Sequence, residues 1–500
     1  MKQAGNRSNS YYFILLFVVS FSFRLILLLV YRFDGLYGQD AYAYYNYSKA
    51  FYEAMMNFEI PPNFFWPIGF YVLTSVFTIF TAGNTGIAGL LVSLNAGSLV
   101  PGFTYLLACE LFTGSPETDR KKIPLYAGLI AAFTPILVKS SIVIMSDALG
   151  LMFACCSVWQ AVKYYNVSKL HHLILSSVLL AFASMTRYVY IILTLTVLIL
   201  VFTGLIKNKA GLSKFVLGVV IFFAAGLIAF SPQLYYILNF GIPYLQHGAN
   251  SGMWTLHWDV MNFFRSSFTT LDGTFDYRFI NGIFYLSPVL HPMYLSLFGI
   301  AFLAGFYFLV RQRKNYELLI CLSWMLIFYM YLAGNPIQSL RFTMSYLPPM
   351  VIAAAAGIGY TKLGASYRKL LFSAGLLALL LYNIYHLNGF MEQKQNELEV
   401  VNWIGNNIPG SSGVIAFDIT LAVSHYTKIK ADELFYFDSS DLIEKIENAA
   451  DDIYLVLPVE KIKTQWKGQP LEQNFSLLES KYQLTGIKHI NEFTIFKLTK

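Results

Sequence analysis

The sequence predicts a polytopic α-helical membrane protein of about eleven transmembrane helices, with a C-terminal extracytoplasmic α/β domain. Three observations predict it. Of the 500 residues 56% are hydrophobic and only 13% charged, whereas soluble domains carry about 25% charged residues. Apolar runs near the roughly 20 residues needed to cross the hydrocarbon recur as far as residue 388 and then stop. The charge balance changes at the same place: residues 391–500 hold 11 Lys/Arg against 16 Asp/Glu, leaving 24 against 12 for residues 1–390. The chain therefore divides into a multi-span domain, 1–390, and a small extracytoplasmic domain, 391–500.

Taken in order, the first run, 11–33, is longer than a signal-peptide core and is not closed by a small-residue cleavage pattern, so it reads as an uncleaved span. Further spans fall at about 86–113, 124–139, 148–165, 171–186, 188–206, 214–236, 285–310, 317–333, 342–361 and 370–388. With Met1 on the cytoplasmic side, the basic connectors at Arg120–Lys122, Lys207 and Lys209, Arg311–Lys314, and Lys362 with Arg368 and Lys369 all come out cytoplasmic, as the positive-inside bias requires. The net charge of +7 thus reports topology and gives no ground for a nucleic-acid partner. The shorter run 66–82, "WPIGFYVLTSVFTIFTA", belongs to the first external loop, about 34–85, as a juxtamembrane or re-entrant helix. If it crossed as well, every later basic connector would face outside. The expected location is a plasma membrane, with a cytoplasmic N-terminus and an extracytoplasmic C-terminal domain.

Cys109, Cys155, Cys156 and Cys321 lie inside apolar runs without CxxC spacing and read as small buried hydrophobes. In the last region, "NELEVVNWIGNNIPG" predicts an amphipathic helix stopped by Pro409 and Gly410. "GVIAFD", "DDIYLVLPVE" and "NEFTIFKLTK" predict strands, and "SSDLIEKIENAA" a helix between the first two. No Gly-rich phosphate loop follows any of these strands, so no nucleotide site is assigned.

Ionisable groups beside membrane spans are costly and are read as site candidates. Two acids stand next to a span at the expected external face: Asp40 in "YGQDAYAYY" and Asp147 in "VKSSIVIMSDALGLMF". Arg187 in "ASMTRYVY" and Arg341 in "NPIQSLRFTMSYLPP" fall on the same side. A guanidinium fork suits phosphate oxygens, and a carboxylate can do acid/base work. Plainer readings compete: either acid can cap its helix, and either arginine can snorkel to the interface. The external segment 237–284 adds Trp254, His257, Trp258, Asp259, Arg265 and Arg278. Its aromatic residues read better as interface anchors than as a sugar platform.

In this order, "YGQDAYAYY", "NFFWPIGFYVL", "MSDALGLMFA", "MTRYVYIILTL" and "LRFTMSYLPPMVIAAAAGI" resemble the membrane glycosyltransferases of the GT-C superfamily. The nearest branch is that of the protein mannosyltransferases and the aminoarabinose and lipid A sugar transferases, of the family 39/83 type, and the likeness covers most of residues 1–390. It implies transfer of one sugar from a polyprenyl-phosphate donor to a protein, lipid or glycan acceptor at the external face. Asp40 matches the first-loop acid that serves as general base. Asp147 matches the second-loop acid that in some branches orients the acceptor or binds metal, so a divalent cation is a candidate cofactor. Arg187, Arg341, Arg265 and Arg278 are the candidate ligands of the donor phosphate. Two positions depart from the family pattern: Ala41 stands where many relatives carry a second acid, and Tyr188 where the turn often has proline. The competing classes are a polysaccharide polymerase or ligase, whose key groups sit in late loops, and a transporter, whose polar groups gather near mid-bilayer.

Overall fold

The computed structural model describes residues 2–62, 64–113, 117–207, 212–242, 258–270, 273–449 and 451–499. Within them the first half of the chain forms helices α1 (Lys2–Tyr31), α2 (Gly38–Met56), α3 (Gly69–Phe80), α4 (Thr85–Leu111), α5 (Glu117–Phe133), α6 (Pro135–Ile142), α7 (Asp147–Val167), α8 (Leu170–Thr186), α9 (Thr194–Lys207) and α10 (Leu212–Phe240). Helices Phe298–Arg311, Asn315–Ala333, Leu347–Tyr360 and Ala365–Asn407 follow. Every expected span contains a helix. Among the described residues six stretches are long and apolar enough to cross a bilayer by themselves, and α5 with α6, bent by 54°, adds a seventh if the pair counts as one span. The run expected not to cross the bilayer, 66–82, gives the 12-residue α3. At 1.5 Å per residue it is about 18 Å long, short of the roughly 30 Å of hydrocarbon.

The bundle solves two backbone problems with buried side chains. Pro135 has no N–H and breaks the α5–α6 ladder, which frees carbonyls in the core. Arg24, fully buried in α1, donates to the carbonyl of Ala132 at 3.0 Å, and Asn383 donates to that of Phe133 at 2.8 Å. Helices Phe298–Arg311 and Leu347–Tyr360 meet through Gly305 and Gly357, where an added Cβ would lie 1.9 Å from the carbonyl oxygens of Ala353 and Ala301. Small residues at such crossings let membrane helices pack backbone to backbone. The outer faces stay apolar: Leu217, Val220, Phe223 and Ile228 of α10 are all exposed, as lipid contact requires.

The boundary at 390/391 falls inside one continuous 43-residue helix, Ala365–Asn407. The sequence reading split it into a span and a separate amphipathic helix. No proline interrupts it, and Gly389 costs only about 1 kcal/mol in a helix, so the rod continues from the bundle into the C-terminal domain. A short hairpin, β1 (Ser267–Thr270) with β2 (Gly273–Asp276), lies between α10 and helix Phe298–Arg311. The C-terminal sheet contains β3 (Gly413–Ala416), β4 (Ala431–Glu433), β5 (Ile453–Leu457), β6 (Gln483–Ile490) and β7 (Phe493–Thr499) in the order β4-β3-β5-β7-β6. β3 runs parallel to β4 and β5, while β7 is antiparallel to β5 and β6. The three expected strands are β3, β5 and β7; β4 and β6 escaped the sequence reading. β4 has three residues, and β6 is exposed along most of its length, so neither shows an apolar alternation.

One apolar core crosses between the domains. Val400, Val401, Ile404, Val414, Ala416 and Ile495 pack in the same cluster as Phe33, Leu36, Ala41 and Tyr42 of the first loop. The opposite face of the sheet closes on its own helices through Leu442, Leu455, Ile462 and Phe475. The C-terminal domain is therefore seated on the first loop, above the ends of the helices that carry the candidate site residues.

Candidate active site

Asp40 is the third residue of α2, which begins at Gly38 with φ of +70°, a conformation that suits glycine. Asp147 is the first residue of α7. Both therefore sit at the partially positive end of a helix, which favours a carboxylate. Neither is an N-cap: those positions belong to Tyr37 and Ser146, without side-chain capping bonds. Arg187 ends α8 in extended conformation, and a 3₁₀ turn, Tyr188–Leu193, follows it. The bend thus forms although Tyr188 stands where a proline would force it. Arg341 lies in a second 3₁₀ turn, Leu340–Tyr346.

These four residues, far apart in sequence, form one ion-pair chain. Arg341 Nη1 donates to Asp40 Oδ2 at 2.8 Å, and its Nε donates to Asp147 Oδ2 at 2.9 Å. Arg187 Nη1 pairs with Asp147 Oδ1. The two acids differ in access. The Asp147 side chain is 4% exposed with both oxygens engaged by arginine, whereas that of Asp40 is 44% exposed and pairs only with Arg341 among the described residues. The guanidiniums keep 18% (Arg187) and 30% (Arg341) of their side-chain surface accessible.

All four line a cavity of ≈ 950 Å³, a size suited to a small ligand. Its side wall is aromatic: Tyr44 stacks on Trp66 with ring centroids 4.6 Å apart and donates to or accepts from Ser146 Oγ at 2.7 Å. Buried Gln233 of α10 accepts from Ile68 N at 2.9 Å and donates to Tyr188 Oη at 2.8 Å, which locks the first loop to the Arg187 turn. Gly69 permits this approach, since a Cβ there would lie 2.7 Å from the Met185 carbonyl oxygen.

The tyrosine row after Asp40 faces two ways, as helical spacing demands. Tyr44 and Tyr47 pack on Trp66, and Tyr42 turns to the C-terminal domain. There Lys394, 5% exposed, donates to Tyr42 Oη at 2.7 Å, Tyr426 Oη at 2.9 Å and Glu397 Oε1 at 2.9 Å. Tyr426 in turn donates to Asp34. Leu421 N donates to Gln39 Oε1 at 3.2 Å, so the residue before Asp40 is also tied to that domain.

Arg265 and Arg278 are brought elsewhere. Both are exposed and neither lines the cavity; Arg265 contacts Asn262, and Arg278 lies over the Phe279 ring. Trp258 donates to the Met330 carbonyl at 3.2 Å, and Asp259 caps the turn after it. Trp254 and His257 lie outside the described residues. Among the described residues no three His, Cys, Asp or Glu side chains gather as a metal site; the two cavity acids are joined by Arg341 instead.

Residues 61–236 match the dolichyl-phosphate-mannose-protein mannosyltransferase family. ArnT from Cupriavidus metallidurans, solved bound to undecaprenyl phosphate, superposes with a TM-score of 0.59 at 12% identity, covering 97% of each chain. The chain has the fold of the GT-C superfamily. A second GT-C structure, the archaeal oligosaccharyltransferase AglB from Archaeoglobus fulgidus in complex with an inhibitory peptide and a dolichol-phosphate, gives a TM-score of 0.54 at 11% identity, over 91% of this chain and 70% of that one. No curated protein sequence is significantly similar to the chain.

The sequence reading missed part of this cavity. Phe417, Asp418, Thr420, Glu433, Phe435 and Trp466, all from the C-terminal domain, form its roof. Glu433 sits at the end of the three-residue β4 and accepts from Thr420 Oγ1 at 2.8 Å. Burial pushes its carboxyl up to about 7, against the Thr420 bond and helped by the nearby charge of Asp418. No periodicity marks these residues in the sequence.

Proposed function

We propose that this protein transfers a sugar from a polyprenyl-phosphate carrier to an acceptor hydroxyl at the external membrane face, with Asp40 as general base. The observation that carries the reading is the Asp40–Arg341–Asp147–Arg187 chain on the wall of one cavity. The undecaprenyl phosphate of the ArnT structure and the dolichol-phosphate of the AglB structure support a lipid-phosphate donor.

The roles follow from access. Asp40, the open acid, takes the acceptor's proton as the acceptor oxygen bonds to the anomeric carbon and the carbon–phosphate oxygen bond breaks. Arg341 and Arg187 meet the departing phosphate with their remaining N–H groups. Asp147, with both oxygens engaged, holds the two guanidiniums in place, which is positioning of the phosphate ligands and not contact with the acceptor. Aligning the reactants and offsetting phosphate charge is most of what a sugar phosphate needs, since it already carries a good leaving group. Arg265 and Arg278 take no part in this scheme.

The test is transfer from a mixed pool of radiolabelled polyprenyl-phosphate sugars onto native membrane acceptors. Label moving to an acceptor in the presence of the protein is the expected result. Absence of transfer from every donor, with solute flux into sealed vesicles, would replace the reading by transport.

A further inference from the structure

Charged groups within membrane helices are usually paired, so a cation left without an acid is a site candidate. Lys139 of α6 is such a cation. It is half-buried, lies over the Phe390 ring at 4.3 Å, and has no acid or hydrogen-bond partner among the described residues. Two histidines stand beside it. Asn383 donates to the Phe133 carbonyl at 2.8 Å and Phe390 meets Lys139, so helix Ala365–Asn407 runs alongside α6 with His386 between these two contacts. Between the same contacts on α6, Ile136 donates its amide to the Met293 carbonyl at 3.0 Å, and the Met293 amide donates to His291 Nδ1 at 3.1 Å. With Nδ1 accepting, the proton of a neutral His291 stands on Nε2. The charges that reach these three residues are one another's and that of Arg341, with no carboxylate among them. Lys139 Nζ, His291 Nε2 and His386 Nδ1 have no hydrogen-bond partner among the described residues, and none of them is sealed from solvent as His386 Nε2 is.

We propose that Lys139, His291 and His386 bind the phosphate of a membrane lipid at a rim site separate from the cavity. None of the three lines the cavity. Asp147 opens the helix after α6, and helix Ala365–Asn407 leads into the C-terminal domain, so the cluster stands at the end of the bundle that carries the candidate site. Its flanking side chains, Leu290, Leu381, Ile384 and Tyr385, are exposed and largely apolar, as a surface against hydrocarbon requires. The charge selects the ligand. A metal ion would meet the Lys139 ammonium, and a neutral group would leave the cation unanswered; an anion satisfies the ammonium and both imidazoles together. Basic pockets between transmembrane helices hold lipid head groups on these terms. Snorkelling accounts for one lysine and gives no reason for two histidines beside it. The phosphate comes from one of two sources, an anionic phospholipid of the bulk bilayer or a polyprenyl phosphate.

The full-length protein in a phosphate-free maltoside detergent tests it, as wild type, Lys139→Met, Lys139→Arg and His291→Asn. His291→Asn keeps an acceptor for the Met293 amide and removes the Nε2 donor, at a position whose charged neighbour is His386 and not Arg341. The probes are phosphatidylglycerol, undecaprenyl phosphate and, as the phosphate-free control, undecaprenol, each titrated while the thermal midpoint is followed. A phosphate lipid raises the wild-type midpoint, and its half-saturating concentration increases about fivefold in Lys139→Met and in His291→Asn but stays near wild type in Lys139→Arg. Undecaprenol acts alike on all four proteins. Without lipid, Lys139→Met melts no lower than wild type, because it has lost an unanswered cation. A response confined to phosphatidylglycerol assigns the site to bulk lipid, and one confined to undecaprenyl phosphate assigns it to the polyprenyl carrier. A loss in Lys139→Met alone would mean that Lys139 acts through Arg341 on the cavity, which overturns the rim site. Unchanged lipid responses in both variants overturn it too, as does a wild type that no phosphate lipid stabilises. A lower lipid-free midpoint for Lys139→Met with an intact lipid response would leave Lys139 an anchor on Phe390 and nothing more. Sugar transfer plays no part in these readouts, so the rim site and the transfer reading fail separately.

Discussion

Across one cavity, two walls treat their polar groups in opposite ways. On the membrane side, Asp40, Asp147, Arg187 and Arg341 answer one another, and Asp147 is fully engaged. On the roof, Glu433 and Trp466 each leave a buried polar atom without a partner among the described residues. Charges already paired in the folded protein are held in advance, and on the proposed reading little reorganisation is needed when they act. Buried polar atoms left unpaired cost the folded protein stability instead.

The largest blow to the membrane-side wall is Asp40→Asn, expected to lower kcat for transfer by about 10²–10⁴ while leaving lipid-phosphate affinity within a few-fold; near-normal kcat would take the base role from Asp40. Next comes Arg341→Met, which strips Asp40 of its partner and Asp147 of one of two. It should cost roughly 10² in kcat/KM, and the buried acid left short of charge should lower stability by about 3–5 kcal/mol. A thermal midpoint equal to wild type would show that the ion-pair chain is not formed.

Smaller effects fall on the contact between the walls. Lys394→Met removes the cation shared by Tyr42, Tyr426 and Glu397, and is expected to reduce kcat about tenfold by freeing the helix that presents Asp40, with KM for the donor little changed. A loss confined to KM would place Lys394 in substrate binding instead.

The smallest effect is a pH slope. Burial raises the folded Glu433 carboxyl from the ordinary 4.5 to about 7, so the folded state holds a proton that the unfolded chain releases. The associated stability is complete below about pH 4.5 and is lost as pH rises through 7, with an upper bound of about 3 kcal/mol. Thermal midpoints across that window should fall for wild type and change less for Glu433→Gln; equal slopes would mean the carboxyl is not buried as described.

How much of this was legible beforehand depends on the range of the signal. Asp40, Asp147, Arg187 and Arg341 were readable because each is a rare charge at the end of an apolar run, and topology put all four on one face. Their pairing was not readable, since Arg341 meets Asp40 across 301 positions of sequence. Arg265 and Arg278 were named only from their place in the segment 237–284, and the fold leaves them off the cavity. Arg24 was passed over as one charge inside an apolar run; its use depends on carbonyls freed by Pro135 in another helix.

By itself the sequence determined the helical membrane class, the helical runs, the α/β character of the last 110 residues and the acids and arginines around which a site is built, because apolar length, charge bias and strand alternation are local quantities. Only the tertiary structure decided that Asp40 is the open acid and Asp147 the closed one, that the boundary at 390/391 is an unbroken helix, and that β4 delivers Glu433 to the cavity roof. Burial and pairing are properties of what the rest of the chain places around a group, and no window of sequence contains its own surroundings.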